Sequence, residues 1–227
     1  MTTNDLPEDS RSPDHPQDAE VSRSEKGLEI FATALLAVAA LATAWSGYQA
    51  SLWDGIQSSN YSQASAARTS AAQKHTEANQ HRLGDLSVFE NFIDASLNGD
   101  TEVADFYRTR FSTEFEPAYD AWVALDPQTN PDAPASPLAM PEYQPPQEQE
   151  SAELTARAEA KFAEGETANN YSDIYTASTL FFASALFFAA ISERFDYRRA
   201  RIALLAFACV GLIAGIAVAL TQPITLG

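Results

Sequence analysis

Three apolar stretches, each close to the length of a membrane crossing, restrict the fold of this chain more than any other feature. A hydrocarbon core about 30 Å thick needs about 20 residues at about 1.5 Å each. The first stretch, Leu28 to about Ala50, is uncharged between Ile30 and Ala44. It reaches the required length only with its aromatic end, Trp45 and Tyr48, while Glu29 lies at the opposite end, where water is in reach. The second, Tyr175 to Ser192, and the third, Ile202 to Leu220, carry no charge at all. A helix in a soluble protein keeps one polar side. The last two stretches are apolar on every face and lie about nine residues apart.

These stretches predict an all-α membrane protein with three transmembrane helices, at 27–50, 175–192 and 201–221, and a helical extracytoplasmic bundle at 51–174 between spans one and two. Trp45, Tyr48, Trp53, Tyr171 and Tyr175 are the expected interface anchors, because amphipathic rings settle at the lipid–water boundary. Gly211 and Gly215, with Ala219 one step further, are spaced to let span three approach a neighbouring helix closely. Ala42-Thr43-Ala44 has the small-x-small form of a cleavage site. The 26 preceding residues are long and net acidic for a signal peptide, so the expectation is that the span is retained.

Orientation follows from the segment joining spans two and three, 193–200, and the residue after it. Arg194, Arg198, Arg199 and Arg201 crowd both membrane boundaries there, and short basic loops stay in the cytoplasm. The N-terminal tail 1–26, with Arg23 and Lys26 beside span one, is then cytoplasmic, while 51–174 and the tail 222–227 lie outside. Segment 51–174 holds seven Lys and Arg against 21 Asp and Glu, so basic residues are scarce on that side. The expected location is a plasma (inner) membrane.

Tail 1–26 is polar, contains Pro7, Pro13 and Pro16, shows no apolar period and is expected to be disordered. Residues 51–98 lack proline and predict a long helix continuing from span one. Its distal half carries an apolar face through Leu83, Leu86, Phe89 or Glu90, Ile93 and Leu97, and its proximal half an alanine face, Ala64, Ala67, Ala71 and Ala78. That alanine face suits close helix approach, and dimerisation through it is expected. Asn98-Gly99-Asp100 signals a turn. Val103, Phe106, Tyr107, Phe111, Phe115, Ala118, Trp122 and Leu125 form a second amphipathic face, with Pro117 set to kink or restart the helix. Residues 126–147 contain seven prolines and read as an extended loop. A third helical stretch from Glu148 to Asp173 presents Leu154, Ala158, Phe162 and Ala168 to a partner and can run unbroken into span two.

Chemistry-bearing patterns are sparse. His75 and His81 are six apart and diverge by about 120° on a helix, a poor metal pair, and Glu77 and Glu90 do not repair it. Glu114/Glu116 and Glu164/Glu166 are two apart and do not face each other. Cys209 is the single cysteine, so no intramolecular disulfide forms. No phosphate-cradling loop or nucleophile elbow is present. A net charge of −17 argues against nucleic acid and against an anionic lipid surface as partners. Intramembrane polar residues are hydroxyls and amides only, which disfavours ion-coupled transport. The expectation is a non-enzyme with no cofactor and no metal.

The stretch Ala42-Thr43-Ala44-Trp45-Ser46-Gly47-Tyr48-Gln49-Ala50, followed by Leu52-Trp53-Asp54-Gly55, resembles uncharacterised bacterial three-span membrane proteins, as does Tyr171-Ser172-Asp173-Ile174-Tyr175. The resemblance implies the span–helical region–two-span plan and a bacterial origin, and no activity. The plan also looks like the sensing half of bacterial chemoreceptors, but a short loop and a third span replace any cytoplasmic signalling helix. The expected role is an interaction or assembly module of the cell envelope, with the lipid bilayer and a second copy or an envelope protein as partners. One alternative is a small-ligand sensor. It needs an apolar cavity with convergent polar groups near Trp122 or Phe162, where a solid Ala/Leu seam would argue against it. A further alternative is an oligomeric pore subunit.

Overall fold

The computed structural model describes residues 16–226, with side chains from Glu25 onward. Helix α1 runs Pro16–Asn98, α2 Thr101–Arg108, α3 Phe115–Val123, α4 Pro146–Ser192 and α5 Arg198–Ala219, with a 3₁₀ turn at Pro137–Ala139. Among the described residues there is no strand. Three of the helices, α1, α4 and α5, are long and apolar enough to cross a membrane. The 22 residues of α5 reach about 33 Å, enough for the hydrocarbon core.

The chain divides into two compact units, one made of residues up to Ile56 together with those from Thr167, the other of Gln57–Glu166. In the first unit α1, α4 and α5 pack around Ala32, Leu35, Ala189, Leu205 and Ala208. Small residues set the spacing. A Cβ placed on Gly211 would lie 3.2 Å from the Phe181 carbonyl oxygen, and one on Gly215 would lie 2.5 Å from the Phe182 ring. Absent side chains at these two positions let α5 close on α4. Most large apolar side chains of the three helices point outward, among them Ile30, Leu41, Leu180, Phe187, Phe207, Val210 and Ile213.

In the second unit α1 and α4 run antiparallel. Ser151 donates its hydroxyl to the Ala71 carbonyl at 2.9 Å, a side chain-to-backbone contact that only closely spaced helices allow. The seam is built from Ala64, Ala67, Ala71 and Ala78 on α1, with Ala158 buried on α4. Each alanine buries little, about 0.8 kcal/mol per methylene-sized group, so the pairing rests on many small contributions. Along this part of α4 the more buried positions, Ser151, Leu154, Ala158, Lys161 and Gly165, alternate steps of three and four, the 3.5-residue repeat of a coiled-coil seam. Lys74–Glu150 at 2.9 Å and Arg82–Glu148 at 3.2 Å flank the seam at exposed positions, where solvent screening leaves such pairs little weight.

The alanine face expected to dimerise is therefore covered by α4 of the same chain. Phe162, expected to face inward, is 38% exposed and stacks on Tyr61 beside the seam, while Gly165 takes the inner position under the Tyr61 ring.

Helix α1 ends in a Schellman turn where Asn98-Gly99-Asp100 predicts it. Gly99 takes φ of 79°, its N–H reaches Ser96, and the Asp100 N–H reaches Ala95 at 3.0 Å. The helix expected over 101–125, with Pro117 to kink or restart it, is two short ones. Residues 109–114 break it, and Pro117 sits in the first turn of α3, where a missing N–H costs nothing. Val103, Phe106 and Leu125 are consequently exposed rather than inward. On α1 Leu83 and Leu97 are exposed too, and the inward face follows Phe89, Phe92 and Ile93 toward α3.

Residues 126–147 fold back rather than extend. Ser136 caps the 3₁₀ turn by accepting from the Leu138 N–H at 3.2 Å, and Met140 and Tyr143 are buried. Helix α4 opens on Pro146, two residues before Glu148, using proline at the first helical position. Helix α5 opens on Arg198 rather than 201, leaving 193–197 as the turn, and it ends at Ala219. Residues 16–26, expected to be disordered, are the first turns of α1. Extending an existing helix is far cheaper than nucleating one, and Gln17 to Lys26 contains no proline or glycine. The expectation for 1–15 lies outside the described residues.

Candidate functional site

In the second unit α2, α3, the end of α1 and the proline-rich segment assemble an aromatic cap. Its core is Phe89, Phe115, Ala118, Met140 and Tyr143, with Phe92, Phe111, Tyr119 and Trp122 packed against it. The rings meet edge to face: Phe89–Trp122 at 5.6 Å and 88°, Phe92–Tyr119 at 5.5 Å and 89°, Phe111–Phe115 at 4.8 Å and 82°. Such pairs add about 0.5–1.5 kcal/mol each beyond their burial.

Arg108 ties α2 to α3. Its guanidinium lies 4.8 Å from the Phe111 centroid and 4.6 Å from that of Tyr119, donates to Asp120 at 2.9 Å, and stands 3.4 Å from Glu116. Burial raises the Tyr119 hydroxyl above its ordinary range, with Arg108 pulling the other way. Tyr143 donates to the Asp85 carboxylate at 2.8 Å, and burial, followed by that hydrogen bond, pushes its own ionisation well up.

A cleft of about 400 Å³ opens beside Trp122, walled by Phe92, Ile93, Tyr119 and Trp122 and edged by Ser96, Asp126, Gln128 and Thr129. The volume is that of a small-molecule site. Asp126 holds the left-handed conformation, φ 50°, and its carbonyl accepts from the Thr129 and Asn130 N–H groups. The turn keeps Asp126 among the residues at the cleft edge. Trp122 is oriented by donating its indole N–H to the Pro134 carbonyl at 2.7 Å. Near Phe162, by contrast, the α1–α4 contact is a filled small-residue seam. Trp122 lies in the apolar face that the sequence predicts, whereas Phe92, Tyr119 and Asp126 lie outside it. The one local signal is an Asp-Pro pair, Asp126-Pro127, just beyond a helix that carries three aromatics, Phe115, Tyr119 and Trp122.

In the first unit a second arrangement holds residues 221–226. Gln49, wholly buried, donates to the Thr225 carbonyl at 2.9 Å and accepts from its N–H at 3.1 Å. Trp53 and Tyr175 both donate to the Pro223 carbonyl, at 3.2 and 3.3 Å. Tyr175, expected as an interface anchor, is 1% exposed and serves this strap instead. Trp53 packs edge-on against Tyr171 at 4.8 Å, so those two are also committed within the unit. Trp45 and Tyr48 remain about half exposed, 6.2 Å apart, on the outward side of α1.

Gly211 and Gly215 lie against α4, and Ala219 lines a 160 Å³ apolar crevice with Ser46 and Phe182. Arg194, Arg198 and Arg199 are exposed at the α4–α5 turn, and Arg201 is half-buried. The sequence did not foresee the role of Gln49. An amide one turn from a span end reads as an ordinary interfacial residue until its partner is known.

His75 and His81 are exposed, Glu116 is drawn to Arg108, and Glu164 pairs with Lys161 at 2.5 Å. Among the described residues no group of three or more His, Cys, Asp or Glu is placed to hold a metal ion.

No known protein family, curated protein or solved structure matches the chain.

Proposed function

We propose that this is a non-enzymatic bacterial plasma-membrane protein, kin to the three-span group resembled by Ala42–Gly55, whose second unit acts outside the cell as an interaction or assembly module. The observation that carries the reading is on α2. Val103 and Phe106, three apart and so on one helical face, are 44% and 50% exposed, although the rings behind them are packed edge to face. A rigid aromatic cap that leaves such a face to water is suited to an apolar partner surface. The partner is a second copy or another envelope protein. The arginines at the α4–α5 turn support the orientation with that turn in the cytoplasm.

A photo-crosslinking side chain at Phe106, activated in native membranes, tests the reading. A discrete adduct with one protein, or a crosslinked dimer, is expected. Recovery of monomer alone overturns it.

A second reading, a small-ligand sensor, is favoured by the cleft beside Trp122, which meets the condition of an apolar cavity with convergent polar groups.

A further inference from the structure

We infer that the cleft beside Trp122 takes a small organic cation, an alkylated or quaternary ammonium, a conclusion that rests on the sensor reading and names its ligand class. Three observations carry it. The walls include three aromatic rings, Phe92, Tyr119 and Trp122, and ring faces attract a cation that sheds its water easily. The cleft edge holds one carboxylate, Asp126, for which no ion pair exists among the described residues. Among the described residues no Lys or Arg lines the space, and Arg108, stacked over Tyr119 on its wall, is committed to Asp120 and Glu116.

Position adds to the charge. Asp126 follows the C-terminal end of α3, which has no basic residue in its last turn. A helix C-terminus already carries partial negative charge, and an acid there is unfavourable until a cation joins it. The net charge of −17 raises the local concentration of cations in the same sense. An anion would meet Asp126 directly. A bare divalent metal would find a single carboxylate where it needs several oxygen ligands. About 400 Å³ is ample for a trimethylammonium head and a short substituent.

Choline is the probe, titrated by calorimetry or ligand-observed NMR into the detergent-solubilised full chain, with 3,3-dimethylbutan-1-ol as its uncharged isostere. Saturable choline binding is expected, about tenfold tighter than the neutral alcohol, and weakened about tenfold by Asp126→Asn. Asparagine keeps the shape and tolerates the left-handed backbone, so that variant folds. Equal binding of both probes, or choline binding unchanged by Asp126→Asn, overturns the cation assignment and leaves the sensor reading standing. No saturable binding of either probe overturns both. Repeating the choline titration in nanodiscs of phosphatidylglycerol with and without phosphatidylcholine separates the sources: competition by the second lipid identifies a headgroup, and its absence a free solute. Crosslinking at Phe106 reads the interaction module independently of all these outcomes.

Discussion

Gln49 closes both ends of its side-chain amide on the backbone of Thr225, donating at 2.9 Å and accepting at 3.1 Å. A buried amide satisfied in this way fixes the segment after α5 against the first unit. Removing it leaves a backbone donor and acceptor without partners, at about 1–3 kcal/mol for each group that stays buried. Gln49→Leu is expected to lower thermal stability in detergent and to raise proteolysis and hydrogen exchange across 221–226. Exchange there at the wild-type rate would show that the clamp contributes nothing.

The contact between Gly215 and Phe182 sets the approach of α5 to α4. Gly215→Leu puts a side chain where a Cβ alone already meets the ring, and a cost of about 1–3 kcal/mol is expected from overpacking. Gly47→Ala, where nothing lies within 4 Å, is expected to be neutral or stabilising by up to about 1 kcal/mol through helix propensity. Unfolding of both variants in mixed detergent micelles measures the difference.

Tyr143 predicts a loss of cap stability in alkali. Its ionisation is raised in the folded state by burial and by Asp85, so the folded state holds its proton more tightly than the unfolded state. The contribution is fully present below the ordinary tyrosine value of about 10 and declines as pH rises above it. Near-ultraviolet circular dichroism of the cap aromatics, followed in melts from pH 8 to 12, is expected to show this decline. Tyr143→Phe is expected to flatten it and to cost about 0.5–1.5 kcal/mol at neutral pH.

The α1–α4 seam predicts a sharp contrast between adjacent alanines. Ala67 is 8% exposed on the seam, and Ala66 faces water. Ala67→Leu is expected to destabilise by about 1–3 kcal/mol and Ala66→Leu by less than about 0.5 kcal/mol, as read by chemical denaturation of the full chain in detergent.

These contrasts also show what was legible in the residues beforehand. The apolar blocks and the Asn98-Gly99-Asp100 turn are local signals, and the spans and the end of α1 fall where those signals lie. The alanine stripe was legible as a close-packing face. Helix lengths allow the long helix to pack on both returning ones, but periodicity does not say whether the alanine stripe meets α4, as Ala71 meets Ser151, or a second copy. Pro117 signals a kink or restart, and α3 does restart around it, but the break itself lies earlier, at 109–114, where Phe106, Phe111 and Phe115 keep near-helical spacing. Aromatic packing through Phe111 and the Arg108 bridge to Glu116 and Asp120 hold the two short helices together. Tyr175 and Gln49 were misread or missed for the same reason, since their partners Pro223 and Thr225 sit on a strap with no pattern of its own. Asp126 carried no periodic signal at all.

The proposed role requires three crossings, with the α4–α5 turn on the cytoplasmic side and the second unit outside. With Cys209→Ser as background, which removes the chain's single cysteine, one cysteine each at Phe195 and Thr101 can be challenged in intact cells with a membrane-impermeant maleimide. The expected result is labelling of Thr101→Cys from outside, and labelling of Phe195→Cys only after permeabilisation. Labelling of Phe195→Cys in intact cells, or protection of Thr101→Cys, would contradict it.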